Sequence, residues 1–310
     1  MPGGLKNSNT CLTWLHLGVD MILVRLLSKL PLSILYVVSD FLFVLSFYVV
    51  RYRRPLVWKN LKNAFPEKSD EELRLVERQF YKNLCDYGVE MLKLVTISRE
   101  ELDRRVTFKN PEIANQYLEQ GQSTLNLAAH TFNWEWMLTA GSFKLKGAMD
   151  FVYQPVHSKF FNELSLESRT RFGAYPIRRD SVAREIVKRK AIIRNVAIVG
   201  DQYPGYPHDK KFPIVFMNQE TVFFYGSIQL ALLTQYPVFY YSMSKVKRGY
   251  YEVSIIELAK PPYHASDKEI ITRYVQSLEE LIRRNPSEWL WSHDRWKTRH
   301  LENSASVIKV

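Results

Sequence analysis

From Leu32 to Val50 the chain reads LSILYVVSDFLFVLSFYVV, nineteen residues whose one charge is Asp40. Coiled as an α-helix, this stretch would measure about 28 Å, close to the ~30 Å hydrocarbon core of a bilayer. The apolar residues then become periodic. Ser69 and Glu72 form a capping box that opens an amphipathic helix to about Lys93, with Leu73, Val76, Phe80, Leu84 and Met91 recurring at helical spacing. From Ser123 onward strands and helices alternate. STLNLAA predicts a buried strand, Asn133 a cap for the short helix WEWMLTAG, and AMDFVYQP a second strand. Helices follow around 158–171 and from Ser181, then the strand NVAIVG. PIVFM, a helix over 225–233, PVFYYSMS and YYEVSIIEL are expected to complete one sheet, and Ser266 with Glu269 to box the start of a last helix ending near Arg284. Such alternation predicts an α/β fold: a largely parallel mixed sheet flanked by helices, preceded by an N-terminal hydrophobic membrane-anchor helix. The expected division is an anchoring segment over residues 1–55 and an α/β domain over residues 56–310.

Charge sharpens the reading of the first part. Arg51, Arg53, Arg54, Lys59 and Lys62 follow the apolar stretch, whereas Lys6, Arg25 and Lys29 precede it. The positive-inside bias therefore puts the body of the protein in the cytoplasm. No A-x-A-like site follows, so a cleaved signal peptide is not indicated. The competing structural reading is a core helix, because a carboxylate at a span's centre costs about 2.5–3.5 kcal/mol on insertion scales. The stretch before Pro31, with Asp20, Arg25 and Lys29 scattered through it, fits a helix lying in the interface. Across the whole chain 43 Lys and Arg exceed 32 Asp and Glu, a net charge of +11 that calls for an acidic partner. Cys11 and Cys85 show no CxxC spacing and imply neither a disulfide framework nor a structural metal.

Absent motifs narrow the chemistry. There is no G-x-G-x-x-G, no G-x-x-x-x-G-K-[ST], no H-E-x-x-H and no G-x-S-x-G. Nucleotide binding, zinc proteolysis and serine hydrolysis lose ground, and no cofactor, no metal and no nucleic-acid partner is expected. What stands out is His130-Thr-Phe-Asn-Trp-Glu135, an H-x4-E directly after a strand. Spacing alone says little, since seven histidines yield roughly 0.7 such pairs by chance at ordinary acidic content. His264 and Glu269 make a second one, accounted for by the Ser266 cap. His130, by contrast, lies at the carboxyl end of a buried strand, where α/β sheets gather ligands. Residues five apart on one helix diverge by about 140°, so cooperation requires His130 outside the helix and Glu135 in its first turn. A histidine held by a carboxylate can take a proton from an alcohol; a strand-end histidine bonded within the core is the structural alternative.

Further blocks make the pattern specific. LLSKLPLSILY, NLKNAFPEKSDEE, LNLAAHTFNWEW, RTRFGAYPIRRD, GDQYPG and PSEWLWSHDRWKTR occur in this order. Together they resemble the bacterial lipid A biosynthesis acyltransferase family, within the glycerolipid and lysophospholipid acyltransferase superfamily, from Leu26 to Arg299. The resemblance implies an inner-membrane enzyme with its catalytic domain on the cytoplasmic face. Its implied donor is an acyl thioester, usually of acyl carrier protein, and its acceptor a lipid A precursor. It further implies His130 as the base with Glu135 as its partner, Arg169 or Arg171 as an anion contact, Asp201 and Gln202 as a wall of the acceptor pocket, and Arg295 near the site. Phe132 departs from the family's usual glycine, which implies a bulkier loop. Two alternatives stand beside this reading: a member of the same family acting on another lipid, such as an aminolipid, glycolipid or aryl-polyene precursor, and a non-enzymatic basic protein that binds anionic lipid.

Overall fold

The computed structural model describes residues 21–206, 209–264 and 268–296. Residues 21–28 are helical (α1), and Pro31 starts α2, Leu32–Val44, which tightens into a π-helical turn over Leu45–Val49. Among the described residues one helix, Leu32–Val49, is long and apolar enough to cross a membrane by length and composition, and 28% of it is buried against the rest of the chain. The buried positions Leu32, Leu35, Ser39, Phe43 and Phe47 fall three or four residues apart, hence on one stripe. That stripe packs on the long helix α4, Asp70–Leu94, which follows α3, Arg54–Ala64. Ser39 Oγ donates to Asp86 of α4 at 2.7 Å, and Tyr36 Oη donates to Glu90 at 2.8 Å. Asp40, the charge that made a bilayer span costly, pairs instead with Arg248 at 2.7 Å. On the other side Val37, Phe41 and Val49 are each at least 67% exposed.

After α5, Arg99–Arg105, the chain lays down β1, Val106–Phe108, α6, Glu112–Glu119, and β2, Thr124–Ala128. There follow α7, Trp134–Lys144, β3, Ala148–Tyr153, α8, Lys159–Thr170, β4, Tyr175–Arg178, α9, Val182–Lys188, and β5, Arg194–Val199. The hairpin β6, Lys211–Phe216, and β7, Gln219–Phe224, precedes α10, Gly226–Thr234; β8, Val238–Lys247, β9, Tyr250–Ala259, and α11, Glu269–Arg284, close the order. Seven strands form one sheet in the order β1-β9-β8-β2-β5-β3-β4, all neighbours parallel except β8 and β9. The expected fold class is what the chain adopts.

PIVFM needs correction. Its first four residues lie in β6, which pairs antiparallel with β7 in a separate two-stranded sheet. Its burial alternates along the strand, whereas all five residues of β2 are buried. Alternation marks a ribbon with one covered face, and uninterrupted burial a strand covered on both. Met217 and Asn218 both take positive φ in the two-residue turn between them, as tight hairpins require. Glu269 is the first residue of α11, not its third, and Lys268 stands at the N-cap without a side-chain cap; Ser266 lies outside the described residues.

Candidate active site

The parallel register creates the site. Ala128 of β2 faces Val199 of β5, so the residues two positions on, His130 and Asp201, emerge side by side at the carboxyl ends of central strands. Asp201 Oδ1 lies 2.7 Å from His130 Nδ1, and the His130 backbone N–H donates to Oδ2 at 3.1 Å. Trp289 Nε1 donates to the same Oδ2 at 2.7 Å. Asp201 is 1% exposed. Burial pushes its pKa up, but the His130 ring and the donated hydrogen bonds outweigh that and hold it below the ordinary carboxylate value. An ionised Asp201 accepts only, so Nδ1 carries a proton, and in the neutral ring Nε2 is the nitrogen without one. The ring meets Trp134 edge-on with centroids 4.9 Å apart.

Glu135 is paired with Arg169 rather than with His130. Arg169 Nε donates to its Oε2 at 2.6 Å, a second Arg169 nitrogen reaches Oε1, and Trp134 Nε1 donates to Oε1 at 3.0 Å. Asn133 does cap α7, accepting from Trp136 N at 3.2 Å, and this starts the helix so that Glu135 falls in its first turn. From there the carboxylate faces α8 rather than the imidazole. Burial works against the Arg169 charge, yet Glu135 raises its pKa above the ordinary value. The cap is itself anchored: Asn133 Nδ2 and Tyr251 Oη donate to Glu90 at 2.9 and 2.7 Å, beside Tyr36 of α2.

Other expected residues separate. Asp201 belongs to the histidine rather than to the wall of an acceptor pocket. Arg295 is fully buried, its three nitrogens donating to Asp201 O, Thr221 Oγ1 and Val222 O, each at 2.7 Å. Burial pulls its pKa down to about 10. Arg295 thus ties β7 to the loop after β5 and presents nothing to a ligand. Arg171 donates to Leu94 O at 2.6 Å and is not among the residues lining the cavity. Gln202 and Arg169 do line it. Phe132 is buried against Phe80, Tyr87 and Trp134, so its bulk fills the core instead of the loop's outer side. Trp289, Trp291 and Trp296 are buried too, with Leu290 N bonded to His130 O at 3.1 Å; the closing block is the back wall of the site. Among the described residues no three His, Cys, Asp or Glu side chains gather as a metal would need.

His130 opens on a cavity of about 970 Å³. One arm runs beneath α7, between Met137, Leu138 and Gly141 above and Ala128, Ala197 and Phe151 on the sheet below. In register Asn126 pairs with Ala197, and Ala197 with Phe151, so these side chains share one face of the sheet. Small residues on helix and sheet alike keep this layer from filling. The other arm is a mouth edged by Gln154, Arg179, Gln202, Tyr203 and exposed Leu233. His130 therefore stands where the space beneath α7 meets a polar opening.

Residues 4–298 match a family described as bacterial lipid A biosynthesis acyltransferase. Over 296 residues the chain is 23% identical to the lipid A biosynthesis lauroyltransferase of Escherichia coli strain K12, covering 93% of this chain and 92% of that relative. The match runs through α2, the H-x4-E block and the closing tryptophan block alike.

Proposed function

Because the chain belongs to the bacterial lipid A biosynthesis acyltransferase family, we propose that it moves a fatty acyl chain from the thioester of acyl carrier protein to a hydroxyl of a lipid A precursor, with His130 as general base. Membership makes it an acyltransferase and removes the non-enzymatic alternative. The observation that carries the mechanism is His130, held through Nδ1 by Asp201 and opening on the cavity. Its Nε2 takes the proton of the acceptor hydroxyl, typically the 3-hydroxyl of an acyl chain already on the lipid. The oxygen attacks the thioester carbonyl, the C–S bond breaks, and the thiolate recovers the proton from the imidazolium. Asp201 stabilises that imidazolium, as the carboxylate of a catalytic triad does. Arg169, aligned by Glu135, directs positive charge toward the oxyanion. The net charge of +11 favours both an acidic carrier protein and a phosphorylated lipid.

The test uses the purified full chain, a fatty acyl carrier-protein thioester and a lipid A precursor bearing free 3-hydroxyacyl groups. Mass spectrometry should show the precursor gaining one acyl group. Transfer to a different lipid hydroxyl alone would reassign the acceptor, and hydrolysis without transfer to any lipid would sink the reading.

The anchoring surface in this proposal is the outward face of α1 and α2, laid on the inner membrane with the catalytic domain on its cytoplasmic side. Ile22, Leu23, Leu26, Val37, Phe41 and Val49 are exposed there, with exposed Arg25 on α1 and Arg51 and Arg53 just past the end of the second helix. Each large apolar side chain withdrawn from water contributes roughly 1.5–3 kcal/mol, and 1.4 kcal/mol is tenfold in affinity. Val37→Asp with Phe41→Asp should therefore weaken binding to anionic vesicles by at least about tenfold while leaving Tm nearly unchanged. Undiminished co-sedimentation would place the anchor elsewhere.

A further inference from the structure

The arm beneath α7 reaches Met149, Leu145 and Phe108, the lining residues that contact Gly141. Met149 is level with Asn195 of β5, and Asp201, beside His130, lies six residues further on, four along the strand to Val199 and two beyond its end. At ~3.3 Å per residue the arm is at most about 20 Å deep. Carbons joined by ~1.5 Å bonds at ~111° advance about 1.25 Å each, so this depth takes on the order of 12–16 methylenes. Met149, Leu145 and Phe108 line the far end, and the first two are 5% and 7% exposed. Gly141 faces them from α7. A Cβ there would lie 3.1 Å from the Met149 methyl, 3.6 Å from Leu145 Cδ1 and 3.7 Å from Phe108 Cζ. Nothing in the backbone conformation of Gly141 demands glycine, since its φ is not positive. In mid-helix it costs roughly 0.5–1 kcal/mol relative to alanine. Its effect is spatial: it is the notch that receives the tip of Met149.

We propose that Met149, seated in the Gly141 notch, is the stop against which the length of the donor acyl chain is measured, so that these two residues set chain-length specificity. The proposal rests on the acyl-transfer reading and adds what that reading leaves open. Methionine is unbranched and flexible, so its position depends on the notch. A side chain at residue 141 drives the Met149 tip toward His130 and shortens the arm. Truncating Met149 lengthens it.

Two substitutions with opposite signs supply the test. Full-length wild type, Gly141→Leu and Met149→Ala are each given acyl carrier-protein thioesters of graded saturated chain length. Binding of free fatty acids of the same lengths is followed separately by tryptophan fluorescence. The preferred chain should shorten by about two carbons in Gly141→Leu and lengthen by about two in Met149→Ala, at ~1.25 Å per methylene, in transfer and in binding alike. Should Gly141→Leu fail to fold, Gly141→Ala, whose clash is with one flexible methyl, carries the same sign with a smaller shift. Unchanged profiles, or shifts in one shared direction, would overturn the stop. A wild type that binds chains with the predicted shifts among its variants but transfers none would sink the transfer reading and leave the stop standing.

Discussion

Asp201→Asn is expected to lower kcat by about 10²–10⁴-fold, close to the loss from His130→Ala, with KM for the lipid acceptor little changed. The carboxylate is buried and is not among the residues lining the cavity. Its Oδ1 fixes His130 Nδ1 at 2.7 Å, and its pKa, held below the ordinary value by that ring, keeps it ionised throughout the neutral range. Asparagine preserves the shape and can still accept from Trp289 Nε1 and the His130 backbone N–H. Facing the ring, however, it offers either a neutral oxygen or an N–H2 group. The second choice turns Nδ1 into the acceptor and puts the proton on Nε2, where the base should be free. Even in the correct tautomer, a neutral amide stabilises the developing imidazolium less than a buried carboxylate does. Steady-state kinetics beside a melting curve decide the matter. If Asp201→Asn keeps wild-type turnover while His130→Ala is inactive, the pairing has no catalytic consequence.

The strong local signals translated directly into structure. The Ser69 cap and the apolar period after it gave α4, and unbroken burial gave β2, because each depends on residues close in sequence. What stayed hidden depends on register. Five residues separate His130 from Glu135, whereas 71 separate His130 from Asp201, and the nearer carboxylate drew the inference. Once β2 and β5 are taken as parallel neighbours, both residues fall just past the ends of their strands, so their meeting was latent in the strand boundaries. Arg295 lies near the site, as its place in the tryptophan-rich block implies, but its role depends on tertiary structure: its guanidinium fits three backbone and hydroxyl acceptors contributed by β7 and the loop after β5. The apolar segment after Pro31 was legible as one long apolar helix, yet its inner stripe was not. Only tertiary structure brings Arg248, from the turn between β8 and β9, to Asp40.

Glu135→Gln should act mainly on stability, costing about 3–5 kcal/mol, the usual consequence of leaving one member of a buried ion pair alone. Glu135 is 2% exposed and Arg169 21% by side chain. Without the carboxylate, the guanidinium keeps its charge in a site that burial disfavours and loses the two-pronged hydrogen bonding that fixed it. His130 keeps Asp201 and hence its tautomer, so turnover per folded molecule should fall by less than about tenfold, through the looser Arg169 alone. A second substitution tests the cause. In Glu135→Gln with Arg169→Met no unpaired charge remains, and much of the lost stability should return, a coupling of more than about 1 kcal/mol in the double-mutant cycle. Turnover should not return with it if Arg169 faces the oxyanion. The opposite pattern would be telling. A hundredfold loss of kcat at unchanged Tm would mean that Glu135 reaches the imidazole or the substrate during the reaction. The division of labour between the two carboxylates, Asp201 on the base and Glu135 on the arginine, would then be wrong.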